Sequence, residues 1–524
     1  MRVSAGLGLI VLIGLAAACT TEIVTVQAQP EDPTKSTSAT DPDSTDPSTP
    51  PGAIVSGLTI TDVAVFQGVK VPIVADGAEV KSKRKAPVVG GRPGIIRVYV
   101  KAEKGFKARE VTAELRLATE DGAFPIIREK KRISGDSSEE DADSTFNIEF
   151  PADSFPAGVS MQVSLTAKDG VAAADGEDNP GRWPQDGGWQ DLRAGDTGVL
   201  KVVLVPIKYT FDGSDRLPTL TDEQLEAYKT TLMGRYAASD VEITVRKELA
   251  YDAEISGTKP QTFVDLLAAV RDLRRKDKAK DDVYYYGSMM TTKSFATFCS
   301  AGCVAGLSTV ADDYRASALR ASIGVGYPGQ QAAETMAHEI GHAHGREHAP
   351  CGPGGQMPQG IDASFPHDGA KLGVWGYDIF SKTFHSPDIG HDMMSYCKDE
   401  WVSDYTYNAL AKRLAELNKL SSGEDEDEEM QLLPPQAQGY TIANVDADGN
   451  TVLEREAPYR GGISGGFARK LSIRDRAGAI EDVTARFFPY DHAKGGVMYI
   501  PKRLNEAWQD VAIEGASFRH LVRR

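Results

Sequence analysis

The segment His338-Glu339-Ile340-Gly341-His342-Ala343-His344-Gly345-Arg346-Glu347-His348 constrains this chain more than any other. It reads H-E-x-x-H-x-x-G-x-x-H. The chain has nine histidines, and four of them lie here. At about 3.6 residues per helical turn, His338 and His342 share one face, so both rings can meet one ion. Glu339 follows the first ring, where its carboxylate can reach an open position on that ion. Gly345 is free to take positive φ, which ends the helix and folds the chain back. That reversal brings His348 in as a third ligand. Three imidazoles, an open position and a base beside it are the pattern of a catalytic Zn2+ site. The bland alternative is a histidine-rich surface helix.

The segment resembles the zinc signature of the metzincin metallopeptidases. In that clan a tight turn downstream carries a methionine beneath the metal. His391-Asp392-Met393-Met394-Ser395-Tyr396-Cys397 supplies a candidate turn. Met394 with Tyr396 two residues later matches its M-x-Y form, whereas Met393 lacks a Tyr at that offset. The resemblance implies that Met394 packs under the metal without binding it, a place an ordinary core methionine could also fill. It gives Tyr396 two readings: a donor to a developing oxyanion, or a structural residue. The resemblance covers residues 199–421, and its specific motifs are confined to 338–348 and 392–396. His344 departs from it, because the family usually has an apolar residue there. Its place on the helix points away from the 338/342 face, so it reads as a supporting or exposed residue rather than a ligand.

The N-terminus predicts export. Met1–Ala18 has Arg2, the apolar run Leu7–Leu15 and the small residues Ala16-Ala17-Ala18, the order of a secretory signal. Small residues directly before Cys19 resemble the bacterial lipoprotein cleavage box, which predicts a lipid on Cys19. Ordinary cleavage that frees the protein is the alternative. Of five cysteines, four then remain: Cys299, Cys303, Cys351 and Cys397. An even number in an exported chain predicts disulfides, with three possible pairings. A four-cysteine zinc site is the rival, but no C-x2-C pair is present. The metzincin resemblance favours Cys351–Cys397, because the segments after the third zinc histidine and after the methionine turn converge below the metal in that clan.

Residues 19–53 are mostly Thr, Ser, Asp and Pro, too polar to bury a core, and predict a disordered tether. The net charge of −17 argues against nucleic acid as a partner. Membrane contact is expected through the lipid anchor alone, with the folded part exposed on the bacterial cell envelope or secreted if Cys19 stays free. The expected partner is a protein or peptide substrate, and the expected state is a monomer.

The rest divides by pattern. Segment 54–198 reads as a β-sandwich, immunoglobulin-like as its simplest architecture. Leu58–Phe66, Ile95–Val100, Val111–Leu117, Phe146–Phe150 and Val159–Leu165 alternate or run β-branched. Segment 199–421 mixes elements: strands at 202–206, 241–245, 283–286 and 321–325, and helices at 221–238, 262–275, 332–345 and 405–417. Ala321–Val325 is expected as the edge strand lining a cleft. This order matches an α+β metzincin-like domain. Residues 422–435 form an acidic linker, and 436–524 a small β-rich domain. Asn444–Asn450 resembles part of a calcium loop, but Arg455 and Ala457 fall where the last acid is needed, so a hairpin turn fits better and calcium is not supported. Asp175–Gly188 likewise lacks regular calcium-ligand spacing and reads as a solvated connector.

The metzincin resemblance implies a zinc endopeptidase. His338, His342 and His348 would hold the ion, Glu339 would act as base, and extracellular proteins would be cut. The alternative is a surface lipoprotein for binding or adhesion, with a structural or degenerate zinc site.

Overall fold

The computed structural model describes residues 24–25, 45–47, 52–422 apart from 83 and 172–175, and 439–523 apart from 458–461, 476, 479, 502–507, 514–518 and 521. The signal, Cys19, most of the tether and most of the acidic linker lie outside the described residues. The chain is multidomain and β-rich, with few helices. No described helix is long and apolar enough to cross a membrane.

The N-terminal segment forms two antiparallel sheets. One carries Leu58–Phe66, Lys70–Ala75, Gly94–Ala102 and Phe146–Phe150. The other carries Arg109–Thr119, Ile127–Ile133 and Ser160–Thr166. Alternate side chains face inward, and Val63, Val65, Ile96 and Val98 share a core with Val111, Leu115 and Val163.

Between residues 200 and 325 the chain builds a central sheet. Its five main strands are β1 (Leu200–Tyr209), β2 (Val241–Val245), β3 (Val283–Met289), β4 (Gly306–Ser308) and β5 (Ala321–Val325), in the spatial order β2-β1-β3-β5-β4, with the short strands Val24–Thr25 beside β2 and Leu249–Tyr251 beside β1. The first four in that order run parallel, and β4 is antiparallel to β5. Parallel strands need crossover helices, which are α1 (Asp222–Arg235) and α2 (Val264–Lys276). Thr221 caps α1, its hydroxyl accepting from the Gln224 amide, and Asp222 and Glu223 favour the positive helix start. The period of two sorts the strand residues between two cores. Leu204, Tyr284 and Tyr286 meet α1 and α3 (Gln330–Ala343) on one face. Val205, Tyr285 and Ile323 meet Leu266, Leu267 and Val270 of α2 on the other.

The edge strand differs from the sequence expectation. Ala321–Val325 is buried throughout and paired on both sides. The edge is β4, whose three residues, Gly306-Leu307-Ser308, are too few to show a strand period.

After α3 the chain is largely irregular to the short parallel pair His391–Asp392 and Glu400–Trp401, and α4 (Asp404–Ser422) closes this region. The C-terminal segment is a mainly antiparallel sheet with Tyr440–Val445, Phe467–Asp475, Ile480–Pro489 and Gly496–Pro501 among its strands. Asp446 closes the turn at 446–450, accepting from the amides of Asp448 and Asn450. This sheet does not stand alone: Ile442, Phe488, Tyr490 and Tyr499 join the α2-side core.

Arg92 locks the N-terminal sheets to the central region. It is fully buried, and its guanidinium donates to the carbonyls of Met233, Tyr236 and Ala238 at the end of α1 and to that of Gln67. A cation at a helix C-terminus meets the negative end of the helix dipole. Tyr236 carries the link onward, donating its hydroxyl to the Ala337 carbonyl of α3 at 2.6 Å.

Candidate metal centre

Helix α3 places His338 and His342 one turn apart, and Gly345, at φ +83°, turns the chain so that His348 comes back beneath them. A Cβ at Gly345 would lie 2.5 Å from Asp312 Cα, so close packing also requires glycine there. The three Nε2 atoms converge: that of His342 is 3.1 Å from those of both His338 and His348. Four ligands about 2.0–2.1 Å from a tetrahedral zinc stand a little over 3 Å apart, so the spacing fits one ion.

The opposite ring nitrogens fix the tautomers. Nδ1 of His338 lies 2.8 Å from the Met393 carbonyl, that of His342 2.6 Å from the Arg346 carbonyl, and that of His348 2.5 Å from the Gln359 carbonyl. A carbonyl only accepts, so each Nδ1 carries the proton and each Nε2 turns a bare lone pair to the common point. Burial, and then the neighbouring rings, keep the imidazoles neutral; His348 is pushed down to about 4. Three convergent lone pairs repel one another unless a cation sits between them, so the donor set fits a metal ion.

Glu339 is 2% exposed, and its Oε2 has no hydrogen-bond partner among the protein atoms of the described residues. Burial first, and the Asp491 carboxyl second, hold its pKa well above the usual carboxylate range. Its side chain lies against β4, where a Cβ on Gly306 would stand 2.5 Å from Glu339 Cγ. Glycine in the edge strand leaves this acid its room.

Met394 packs under α3: a Cβ on Gly341 would lie 2.5 Å from its sulfur. Asp392 holds the turn, accepting from the Met394 amide at 2.8 Å and the Ser403 amide at 2.9 Å. The turn also binds the chain beyond His348, through Ala349 N to Met394 O and Tyr396 N to Cys351 O, both 2.9 Å. The disulfide Cys351–Cys397 joins these same two segments, and Cys299–Cys303 forms the second bridge. Tyr396 reaches the metal group with its hydroxyl 2.7 Å from His348 Nε2. Burial raises its pKa far above 10, which keeps the phenol protonated.

His344 is buried, not exposed. Its ring stacks on Tyr284 at 4.4 Å and meets Tyr236 edge-on, while Nδ1 donates to the Ile340 carbonyl. Burial lowers its pKa to about 3, so the ring is neutral. A neutral imidazole with one nitrogen bonded inside its own helix fills an aromatic slot, which accounts for a polar residue where an apolar one was expected.

Asp491 and His492, from the C-terminal sheet, also stand at this centre and were missed from the sequence. Nε2 of His492 is 2.6 Å from the Tyr396 hydroxyl, and its ring belongs to the same donor group as His338, His342 and His348. Their only sequence signal is a histidine outside the motif in an Asp-His pair, which is weak.

A cleft of about 660 Å³ opens on the centre, lined by His338, Glu339, Tyr396 and His492, with Phe295 and Glu400 farther along.

Residues 319–432 match the family model described as Peptidase M66. Peptidase M66 is a metallopeptidase family. The match supports a peptidase acting on protein or peptide. No curated protein matches the chain. Among solved structures, Bacteroides uniformis beta-glucuronidase 2 covalently bound to cyclophellitol-6-carboxylate aziridine aligns at 11% identity and a TM-score of 0.13, over 46% of this chain and 25% of that one. Another Bacteroides uniformis beta-glucuronidase structure aligns at 11% identity and a TM-score of 0.12, over 44% and 27%. The chain thus spans about a quarter of their length, and scores this low carry no argument about fold or activity.

Proposed function

We propose that this chain is a zinc-dependent endopeptidase of metzincin-like type that hydrolyses extracellular proteins. The observation that carries the reading is the convergence of the His338, His342 and His348 Nε2 lone pairs beside the unpartnered Glu339 Oε2. Bound there, zinc would supply Lewis-acid activation of water and of the scissile carbonyl. Glu339 takes the proton from the attacking water and hands it to the leaving amine. Tyr396 donates its O–H to the oxyanion that develops on the carbonyl. Met394 supports the floor of the site without touching the reacting atoms. Val304 and Ala305, which lead into the edge strand β4, line the cleft, where an extended peptide can lie alongside them.

The wider reading follows from this activity. The N-terminal sheets form an immunoglobulin-like sandwich that spaces or presents the enzyme. Cys19 carries the lipid that holds a monomer at the bacterial cell surface.

The test pairs zinc content with turnover. Glu339→Gln should hold one zinc per chain and lose nearly all hydrolysis of a denatured protein, and a chelator should abolish wild-type activity. His348→Ala should lose zinc on dialysis. Chelator-resistant hydrolysis, or full zinc retention by His348→Ala, would remove the reading.

A further inference from the structure

The C-terminal sheet reaches the metal centre through one tight loop, Pro489–Gly495. Its backbone runs antiparallel to the end of β4. The Val310 amide donates to the Pro489 carbonyl at 3.0 Å, Tyr490 bridges Thr309, and the Asp491 amide donates to the Ser308 carbonyl at 3.3 Å. Gly495, at φ +96°, lets its carbonyl accept from the Tyr490 amide and close the loop.

Two of the loop's polar side chains, Asp491 and His492, then enter the site. Asp491 is fully buried: one oxygen accepts from the Ser308 amide at 2.9 Å, and the other lies 3.4 Å from His342 Nε2 and 3.5 Å from His492 Nε2. That second oxygen has no hydrogen-bond partner among the protein atoms of the described residues. His492 meets the Tyr396 hydroxyl at 2.6 Å and forms part of the cleft wall.

This placement is anchored away from the site as well. Asp313 accepts from the amides of Ser464 and Gly465 at 2.7 and 2.9 Å, and Asp312 from that of Gly466 at 2.7 Å. The buried Arg271 of α2 pairs with Glu454 at 2.9 Å. These contacts tie the C-terminal sheet to the loop after β4 and to the back of the central sheet. Contacts on both sides restrain the loop, as the placing of a catalytic constellation requires.

We propose that the C-terminal domain is the second half of the catalytic centre, and that His492 is the positioning residue for the Tyr396 hydroxyl. The proposal rests on the peptidase reading above and names a residue that the matched region, 319–432, does not contain. The phenol oxygen sits between His348 Nε2 and His492 Nε2. His348 Nε2 turns its lone pair to the metal. His492 therefore fixes the phenol's rotation: its Nε2–H donates to the phenol oxygen, and the phenol O–H is left to donate into the cleft. Hydrogen bonds in such a chain polarise one another, which makes the outer donor stronger. Without the C-terminal loop Tyr396 would keep its backbone anchor but lose this restraint. A cleft open beside His492 argues for a working part rather than a plug.

The full-length, zinc-loaded chain is the material for the test. His492→Ala should keep one zinc per chain and lower kcat on a denatured protein substrate by about 10–100-fold, with KM changed little. His492→Asn retains a side-chain N–H and should recover part of the loss. In a Tyr396→Phe background, His492→Ala should cost little more, because the two act through one hydroxyl. With cobalt(II) in place of zinc, His492→Ala should shift the visible d–d bands as the phenol beside the ion is freed. Fully additive losses, an unchanged kcat, or a rise in kcat as expected of a plug would each overturn the proposal. If the wild type hydrolyses no protein, the peptidase reading fails, whereas an unshifted cobalt spectrum in His492→Ala fails this one separately.

Discussion

The sulfur of Met394 rests against Gly341, with room for no more than a hydrogen between them. A Cβ on Gly341 would sit 2.5 Å from the sulfur. Across the same seam, His338 donates its Nδ1 proton to the Met393 carbonyl at 2.8 Å. The glycine between the two helix ligands therefore sets how closely the metal-binding helix approaches the turn that orients its first histidine.

Gly341→Ala follows from this contact. The added methyl must push helix and turn apart, and overpacking of this kind costs about 1–3 kcal/mol. Separation also lengthens the His338–Met393 hydrogen bond. The variant should melt lower and release zinc faster to a weak chelator. Wild-type zinc retention would show that this seam does not orient the ligand.

Local pattern in the sequence carried the elements whose signals are local. Val241–Val245 and Phe146–Phe150 appear at their expected bounds, because period and turn residues mark them on both sides. The three ligands converge because i, i+4 spacing and one positive-φ glycine are local facts. What local pattern could not reveal are partners brought together over long distances. The carbonyls that fix the ligand tautomers belong to backbone at 346, 359 and 393, which no side chain announces. Asp491 lies 183 positions beyond Ser308, whose amide it binds, so its place depends on the packing of a separate sheet. For His344 the sequence left a supporting or an exposed place open, and only the stacking on Tyr284 across the core decides for the buried, supporting one.

The Cys351–Cys397 bridge should matter more for metal retention than for folding. It spans 46 residues, for which the chain-entropy account gives roughly 4 kcal/mol of stabilisation as an upper figure. The same two segments keep the Ala349–Met394 and Tyr396–Cys351 backbone bonds without it. A Cys351→Ser/Cys397→Ser protein should fold, with a lower melting temperature, and lose zinc faster because the loop carrying His348 is freed. Equal zinc release rates in the two proteins would show that the bridge does not restrain the third ligand.

Arg92 gives a prediction far from the metal. Arg92→Met keeps much of the side-chain volume but removes the donors that serve the carbonyls of Gln67, Met233, Tyr236 and Ala238. Buried carbonyls left unpaired cost about 1–3 kcal/mol each, less what solvent or relaxation restores, so a loss of about 3–5 kcal/mol is expected. Denaturant unfolding should move to lower concentration. It should also split into two transitions as the N-terminal sheets uncouple from α1. A single transition at the wild-type midpoint would deny Arg92 its role as the link.

Glu400 should make stability fall with rising pH. Burial first, and the Glu334 carboxylate second, raise its pKa from 4.5 to about 8, against a lowering effect of Arg235. The folded state therefore holds this proton more tightly than the unfolded chain does. Its stabilising contribution is complete below pH 4.5 and is lost as pH rises through about 8. Glu400 lies along the cleft, where water screens it, so the swing should be on the order of 2 kcal/mol rather than the full value of the shift. Glu400→Gln mimics the protonated acid at every pH. Melting temperature against pH should flatten between 5 and 8 in this variant, and at pH 8.5 the variant should melt above the wild type. Parallel melting curves for the two proteins across that range would show that Glu400 ionises in the folded chain as it does in water.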